Sequence, residues 1–236
     1  MTKTLKVLSA LLSYPDDALV AAAPELRQAL DEESLLPRET RPLLDAFIQE
    51  LATGDVYDLQ ERYVELFDRT RSLSLHLFEH VHGESRDRGQ AMIDLKNLYE
   101  ENGLKLSTTE LPDFLPAFLE FLSRRPLPEA CQTLGDTAHI LNALSERLHK
   151  RGAPYEAVFR ALEALSGPAS DEARAELVPE DACADPNDFA ALDKEWEEEA
   201  VSFGPEAAPS CKDRLVAQIR AGRRPVADPP PKGEAL

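Results

Sequence analysis

An all-α fold is predicted by three features of this 236-residue chain. Apolar residues recur at the 3.6-residue period of amphipathic helices. The alternating pattern of half-buried strands is absent. Composition also shifts near residue 167. The reading is a single helical bundle domain of about seven or eight helices over residues 1–167. An acidic, Pro-rich C-terminal extension, mostly disordered, follows over residues 168–236.

The helices follow in order. Residues 1–12 (MTKTLKVLSALL) read as a first amphipathic helix, followed by Ser13-Tyr14-Pro15-Asp16-Asp17. Two lysines before a short apolar run suggest a signal peptide, but no small-residue cleavage site follows, so a cytoplasmic protein is expected. Leu43, Leu44, Phe47, Ile48 and Leu51 form one stripe, and Val56, Leu59, Tyr63, Leu66 and Phe67 the next. Leu134, Ala138, Leu141, Leu144 and Leu148 repeat the pattern, as do Tyr155, Val158, Phe159, Leu162 and Leu165. Pro15, Pro37, Gly54, Gly103, Pro126 and Gly152 punctuate the stripes. Ser107–Leu111 reads as a helix start with Pro112 in its first turn, and Pro116 as a kink or restart.

Charge sets further bounds. Residues 1–167 hold 28 Asp+Glu and 18 Lys+Arg; residues 168–236 hold 16 and 8, with 9 of the 18 prolines. Net charge is −18, which disfavours nucleic acid, whose phosphates are bound by Lys and Arg, and anionic membrane surfaces. It suits a basic protein partner, or solubility alone. No run approaches the length of a membrane helix. Cys131, Cys183 and Cys211 have neither disulfide-framework nor zinc spacing and read as cytosolic thiols. In the extension, residues 187–201 form a possible short helix with Phe189, Leu192 and Trp196 on one face, capped by Asn187 or Asp188.

Chemistry-bearing residues are densest from Tyr63 to Met92. His76 and His80, at i,i+4 on a helix, have zinc-protease spacing. However, Leu77 follows His76 where that motif needs glutamate. A metal-dependent hydrolase using His76, His80 and Glu79 is the alternative; histidines bonded at a polar helix terminus are the simpler reading. Glu79, His80, His82, Glu84 and Asp87 could move protons, but no activated nucleophile accompanies them, since Ser85 lies outside a G-x-S-x-G elbow. Residues 83–89 have Gly and Arg without the P-loop lysine pattern. A recognition surface remains. Leu75, Leu77, Phe78 and Val81 interleave with Glu79 and the histidines, and Gly83 then ends the helix. An apolar floor with fixed charges suits an amphipathic helix. An internal ion-pair network at a helix junction fits the same residues, and chemistry alone leaves both open.

Residues 66–69 (LFDR), Ser74-Leu75 and the run 77–92 (LFEHVHGESRDRGQAM) resemble the signature of the nitrate reductase delta-subunit family. These are NarJ-type molybdenum cofactor assembly chaperones, within the wider TorD-like group of redox-enzyme maturation chaperones. Residues 12–16 (LSYPD), 110–116 (ELPDFLP) and 119–122 (LEFL) are similar too, as are pieces of 192–203. Thr70 stands where the family often has glycine, and His76 lies outside the signature. The resemblance implies an all-helical cytoplasmic chaperone with no catalytic residues and no cofactor or metal of its own. The implied partner is the apo catalytic alpha subunit of a membrane-bound respiratory nitrate reductase. Its N-terminal segment would be held back from membrane attachment until molybdenum cofactor is inserted, and proteins of molybdenum cofactor biosynthesis are further implied partners. In the working mechanism that segment lies in a groove lined by Tyr63, Phe67, Leu75 and Phe78. Glu79, Glu84 and Asp87 pair with its basic residues, His80 and His82 belong to the same surface, and Arg86 and Arg88 hold the loop by internal ion pairs.

Overall fold

In the computed structural model of the protein the described residues are 1–81, 85–106, 110–167 and Leu177, with backbone alone at 85–87. Ten α-helices occur among them: α1 (Lys3–Leu11), α2 (Asp17–Ala21), α3 (Ala23–Glu33), α4 (Arg41–Thr53), α5 (Val56–Phe67), α6 (Ser85–Glu101), α7 (Leu115–Ser123), α8 (Leu127–Asp136), α9 (Ala138–Lys150) and α10 (Glu156–Ser166). Two single 3₁₀ turns, Arg71–Leu73 and Leu77–Glu79, lie between α5 and α6. No strand is present among the described residues, only isolated bridges. The all-α expectation holds. No helix among the described residues is long and apolar enough to cross a membrane.

The count exceeds the expected seven or eight for two reasons. The Ser13–Asp17 break starts a short helix of its own, because the Asp16 carboxylate accepts the Leu19 N–H at 2.7 Å and caps α2. The stripe from Leu134 to Leu148 is also not one helix but two. Gly135 lowers helix propensity there. The buried Thr137 hydroxyl donates to the Leu134 carbonyl at 2.8 Å, competing with the helical ladder. Downstream of α6, the helix expected at Ser107–Leu111 is not what 110–114 form. Leu111–Phe114 make a turn, and α7 begins at Leu115 with Pro116 in its first turn, where proline has no helical N–H to lose.

The core is arranged about α7. Its Leu115, Phe118, Leu119, Phe121 and Leu122 are all buried, and Glu120 is its one charged residue, as suits a helix buried on most of its surface. α1 covers one side of it and α8 another, while α10 packs on α8, α9 and α4. Gly103 and Gly152 carry positive φ just after α6 and α9. They let the next amides turn back: Leu104 N–H donates to the Tyr99 carbonyl at 2.9 Å and Ala153 N–H to the Leu148 carbonyl at 3.0 Å. Residues 168–176 and 178–236, including the possible helix at 187–201, lie outside the described residues. Leu177 itself forms an antiparallel bridge with Val81.

Candidate functional site

The segment between α5 and α6 is not a helix carrying His76 and His80 on one face. It is two 3₁₀ turns joined by extended backbone, and it is stitched to the turn before α7. Leu77 N–H donates to the Asp113 carbonyl at 3.0 Å, and Leu115 N–H donates to the Leu75 carbonyl at 2.8 Å, which bridges His76 to Phe114. The Asp113 side chain, fully buried, completes the clamp: Oδ2 accepts the Phe78 N–H at 3.1 Å and Oδ1 lies 3.2 Å from His76 Nδ1. Tyr99 on α6 fixes the same turn by donating its hydroxyl to the Pro112 carbonyl at 2.8 Å.

The two histidines therefore do different work. His76 is half-buried. Burial alone pulls its pKa down, but the hydrogen bond and charge of Asp113, with the fields of Glu79 and Glu110, outweigh that and raise it. His80 is buried, and burial pushes its pKa down to about 4, with the Arg147 charge adding to the effect. It is neutral near pH 7. Its Nε2 donates to the Ser74 carbonyl at 2.7 Å, which leaves Nδ1 as acceptor for Arg147 Nη1 at 3.4 Å. The same Arg147 nitrogen donates to the Ser72 carbonyl at 2.7 Å, so α9 grips both 3₁₀ turns through one guanidinium. His76 and His80 thus serve separate hydrogen bonds, and no His/Cys/Asp/Glu cluster suited to a metal occurs among the described residues.

The apolar residues expected to line an open groove are interior in this conformation. Tyr63, Phe67, Leu75 and Phe78 are each no more than 5% exposed. Tyr63 and Phe67 belong to an aromatic cluster with Tyr155 and Phe47, at ring separations of 4.7–5.0 Å from Phe47 to Tyr155 to Phe67 to Tyr63. The Tyr63 hydroxyl donates to the Leu12 carbonyl at 3.0 Å. Leu75 and Phe78 face inward because the Asp113 clamp turns the backbone that way. The charged members are nearer the surface. Arg88 Nη2 donates to Glu79 Oε1 at 3.4 Å. The other Glu79 oxygen is buried and without a hydrogen-bond partner among the described residues. His82 and Glu84, and the side chains of Arg86 and Asp87, lie outside the described residues.

Two residues that hold this site together had no role assigned from sequence. Asp113 lies in the 110–116 piece, where an acid beside Pro112 marks a turn but not a clamp. Arg147 sits beside the Leu141–Leu144–Leu148 stripe, and a basic residue there reads as a solvated neighbour until its burial is seen.

A family model described as "Nitrate reductase delta subunit" matches residues 15–161, which contain the whole stitched segment. The chain is 47% identical over 200 residues to the "Nitrate reductase molybdenum cofactor assembly chaperone NarJ" of Escherichia coli (strain K12), covering 84% of each chain. It is 42% identical over 218 residues to the "Probable nitrate reductase molybdenum cofactor assembly chaperone NarW" of the same strain, covering 92% of this chain and 90% of the relative. It is 32% identical over 159 residues to the "Probable nitrate reductase molybdenum cofactor assembly chaperone NarJ" of Bacillus subtilis (strain 168), covering 67% and 85%. With a matched region that takes in most of the described helices, the chain belongs to the nitrate reductase delta subunit family, the family of the NarJ-type molybdenum cofactor assembly chaperones.

Proposed function

We propose that this protein is a cytoplasmic, non-enzymatic chaperone of nitrate reductase molybdenum cofactor assembly. It binds the apo catalytic subunit, including its N-terminal segment, and keeps it open for cofactor insertion before membrane attachment. The observation that carries the reading is the 47% identity to Escherichia coli NarJ over 84% of both chains. The relatives are named as assembly chaperones rather than catalysts. The hydrolase alternative has no support: its two histidines serve separate structural hydrogen bonds.

The partner surface is proposed on the outer side of the stitched segment. Glu79, whose Oε1 takes the Arg88 guanidinium, would turn its second carboxylate oxygen, now buried and without a partner among the described residues, to a basic side chain of the partner. Glu84, Asp87 and His82 extend that surface, with Arg86 and Arg88 ordering it. Tyr63, Phe67, Leu75, Phe78 and His80 support the surface from beneath, and they would touch the partner only if the segment lifted from Asp113 and Arg147. A chain that works this way restores molybdenum content to nitrate reductase in cells lacking their own NarJ-type chaperone. If the alpha subunit reaches its normal level there but stays free of molybdenum, the proposal fails.

A further inference from the structure

The outward face of α5 is uncovered by any described residue. Tyr57, at its start, is 76% exposed and Tyr14, beside its middle, 49%. Between them lies an open hollow of about 420 Å³ lined by Tyr14, Gln60, Glu61, Val64, Glu65 and Arg69. Gln60 holds one wall by donating to the Pro15 carbonyl at 2.9 Å, and Tyr14 packs edge-on against buried Tyr63 at 5.5 Å. The rim is mostly acidic: Asp58, Glu61 and Glu65 on α5 and Asp68 just after it are exposed, as are Asp16 and Asp17 shortly after Tyr14 in the chain, against Arg69 as the one basic lining residue. Asp58, Glu61 and Glu65 make no ion pair among the described residues. An apolar floor inside an acidic rim calls for a basic amphipathic segment.

The chain carries one. Residues 168–211 hold 13 Asp+Glu against 2 Lys+Arg, but residues 212–224 (KDRLVAQIRAGRR) reverse the sign, with 5 Lys+Arg against Asp213 alone. At helical spacing Leu215, Val216 and Ile219 share one face of that stretch. Its attachment point is on the molecule: Leu177 is bridged to Val81, and 34 residues separate it from Lys212. At about 5–6 Å times the square root of the residue number, a connection of that length has a mean reach of about 30 Å. A domain of this size has a radius of gyration of only about 15 Å, so the segment reaches α5 without unfolding anything.

We infer that residues 212–224 dock on the acidic hollow formed by α5 and Tyr14 of the same chain, with Leu215, Val216 and Ile219 on its floor and the basic side chains on its rim. Tethering gives the segment an effective concentration near ~1 mM. A competing free peptide with a dissociation constant near ~0.1 mM would then bind about tenfold more weakly to the intact chain than to one whose segment cannot dock. The surface is distinct from the stitched segment, and the inference does not depend on the nitrate reductase reading.

The test uses the full chain at low ionic strength and a carbodiimide, which condenses an amine and a carboxylate in contact to an amide. The expected product joins Lys212 to Glu61, Glu65 or Asp58 within one molecule, as shown by mixing isotopically light and heavy chains. It is lost in Glu61→Lys with Glu65→Lys and, separately, in Arg220→Glu with Arg223→Glu and Arg224→Glu. These positions on α5 are exposed, and an unchanged circular dichroism spectrum establishes that the fold survives. A synthetic 210–226 peptide should bind the triple arginine variant about tenfold more tightly than the parent. Links only between light and heavy chains would make a second copy the occupant and overturn the inference. Links of Lys212 to other carboxylates only, or equal peptide binding by parent and variant, would overturn it as well.

Discussion

Acid should unfold this protein partly through one histidine. His80 is fully buried and neutral, and its pKa lies at about 4 rather than the ordinary 6.5. Between those values the unfolded chain binds a proton that the folded chain refuses, so stability is complete above pH 6.5 and falls as pH drops toward 4. At about 1.4 kcal/mol per pH unit, the loss by pH 4 is about 3 kcal/mol, a sizeable part of a domain's usual ~5–15 kcal/mol. The whole-protein curve does not isolate this effect. Asp136, whose carboxyl burial lifts to about 6, acts with the opposite sign in the same window, because its folded form takes up a proton first. The informative quantity is the difference between the parent and His80→Gln, whose amide can still donate to the Ser74 carbonyl but cannot take a charge. Urea denaturation from pH 7 to pH 4 should show the parent's advantage over the variant shrinking by about 3 kcal/mol. Two parallel curves would mean that His80 titrates as in an unfolded chain and that its burial against Arg147 is wrong.

Asp113→Asn removes the buried charge facing His76 and turns one acceptor into a donor. It should destabilise the domain by about 2–4 kcal/mol, read as a lower urea midpoint with an unchanged slope. In the parent, the His76 contribution is complete below pH 6.5 and fades as pH rises through its elevated folded pKa; Asp113→Asn should abolish that alkaline decline. Arg147→Met leaves the Ser72 carbonyl and His80 Nδ1 without their guanidinium and should cost about 2–3 kcal/mol. Hydrogen exchange would localise the loosening to residues 70–81. Glu84→Lys with Asp87→Lys should weaken binding of an alpha-subunit N-terminal peptide, most at low salt, while melting temperature stays within a few degrees. Calorimetry and thermal melts of both proteins would check this. Purified without a histidine tag, the protein should contain no stoichiometric zinc by metal analysis; about one zinc per chain, lost in His80→Ala, would revive the metal reading.

Helices with long apolar stripes were legible because a single period governs both sequence and burial. Most residues of the stripes of α4, α5 and α10 are buried, with Val56, Leu66 and Leu165 partly so. Exposed Leu43 shows that one stripe is narrower than the pattern implied. What failed were junctions set by long-range hydrogen bonds. The apolar spacing of residues 75–82 fits a helix as well as it fits 3₁₀ turns. Asp113, 37 positions beyond His76, decides between them, and no local period reports that contact. The same contact turns Leu75 and Phe78 inward, so residues that read as a groove floor are core. The break at Thr137 depends on one hydroxyl choosing the Leu134 carbonyl, a competition that propensity weighs only faintly. Function was legible for a different reason, since the 77–92 run matches a family signature, although its individual roles did not follow from it.

Co-purification from cells expressing the nitrate reductase operon, with molybdenum cofactor synthesis switched on or off, tests the central claim most directly. The account predicts that the tagged chain retains the alpha subunit when it is cofactor-free and releases it once molybdenum is inserted. Recovery of no alpha subunit, or of equal amounts of apo and molybdenum-loaded alpha subunit, would contradict it.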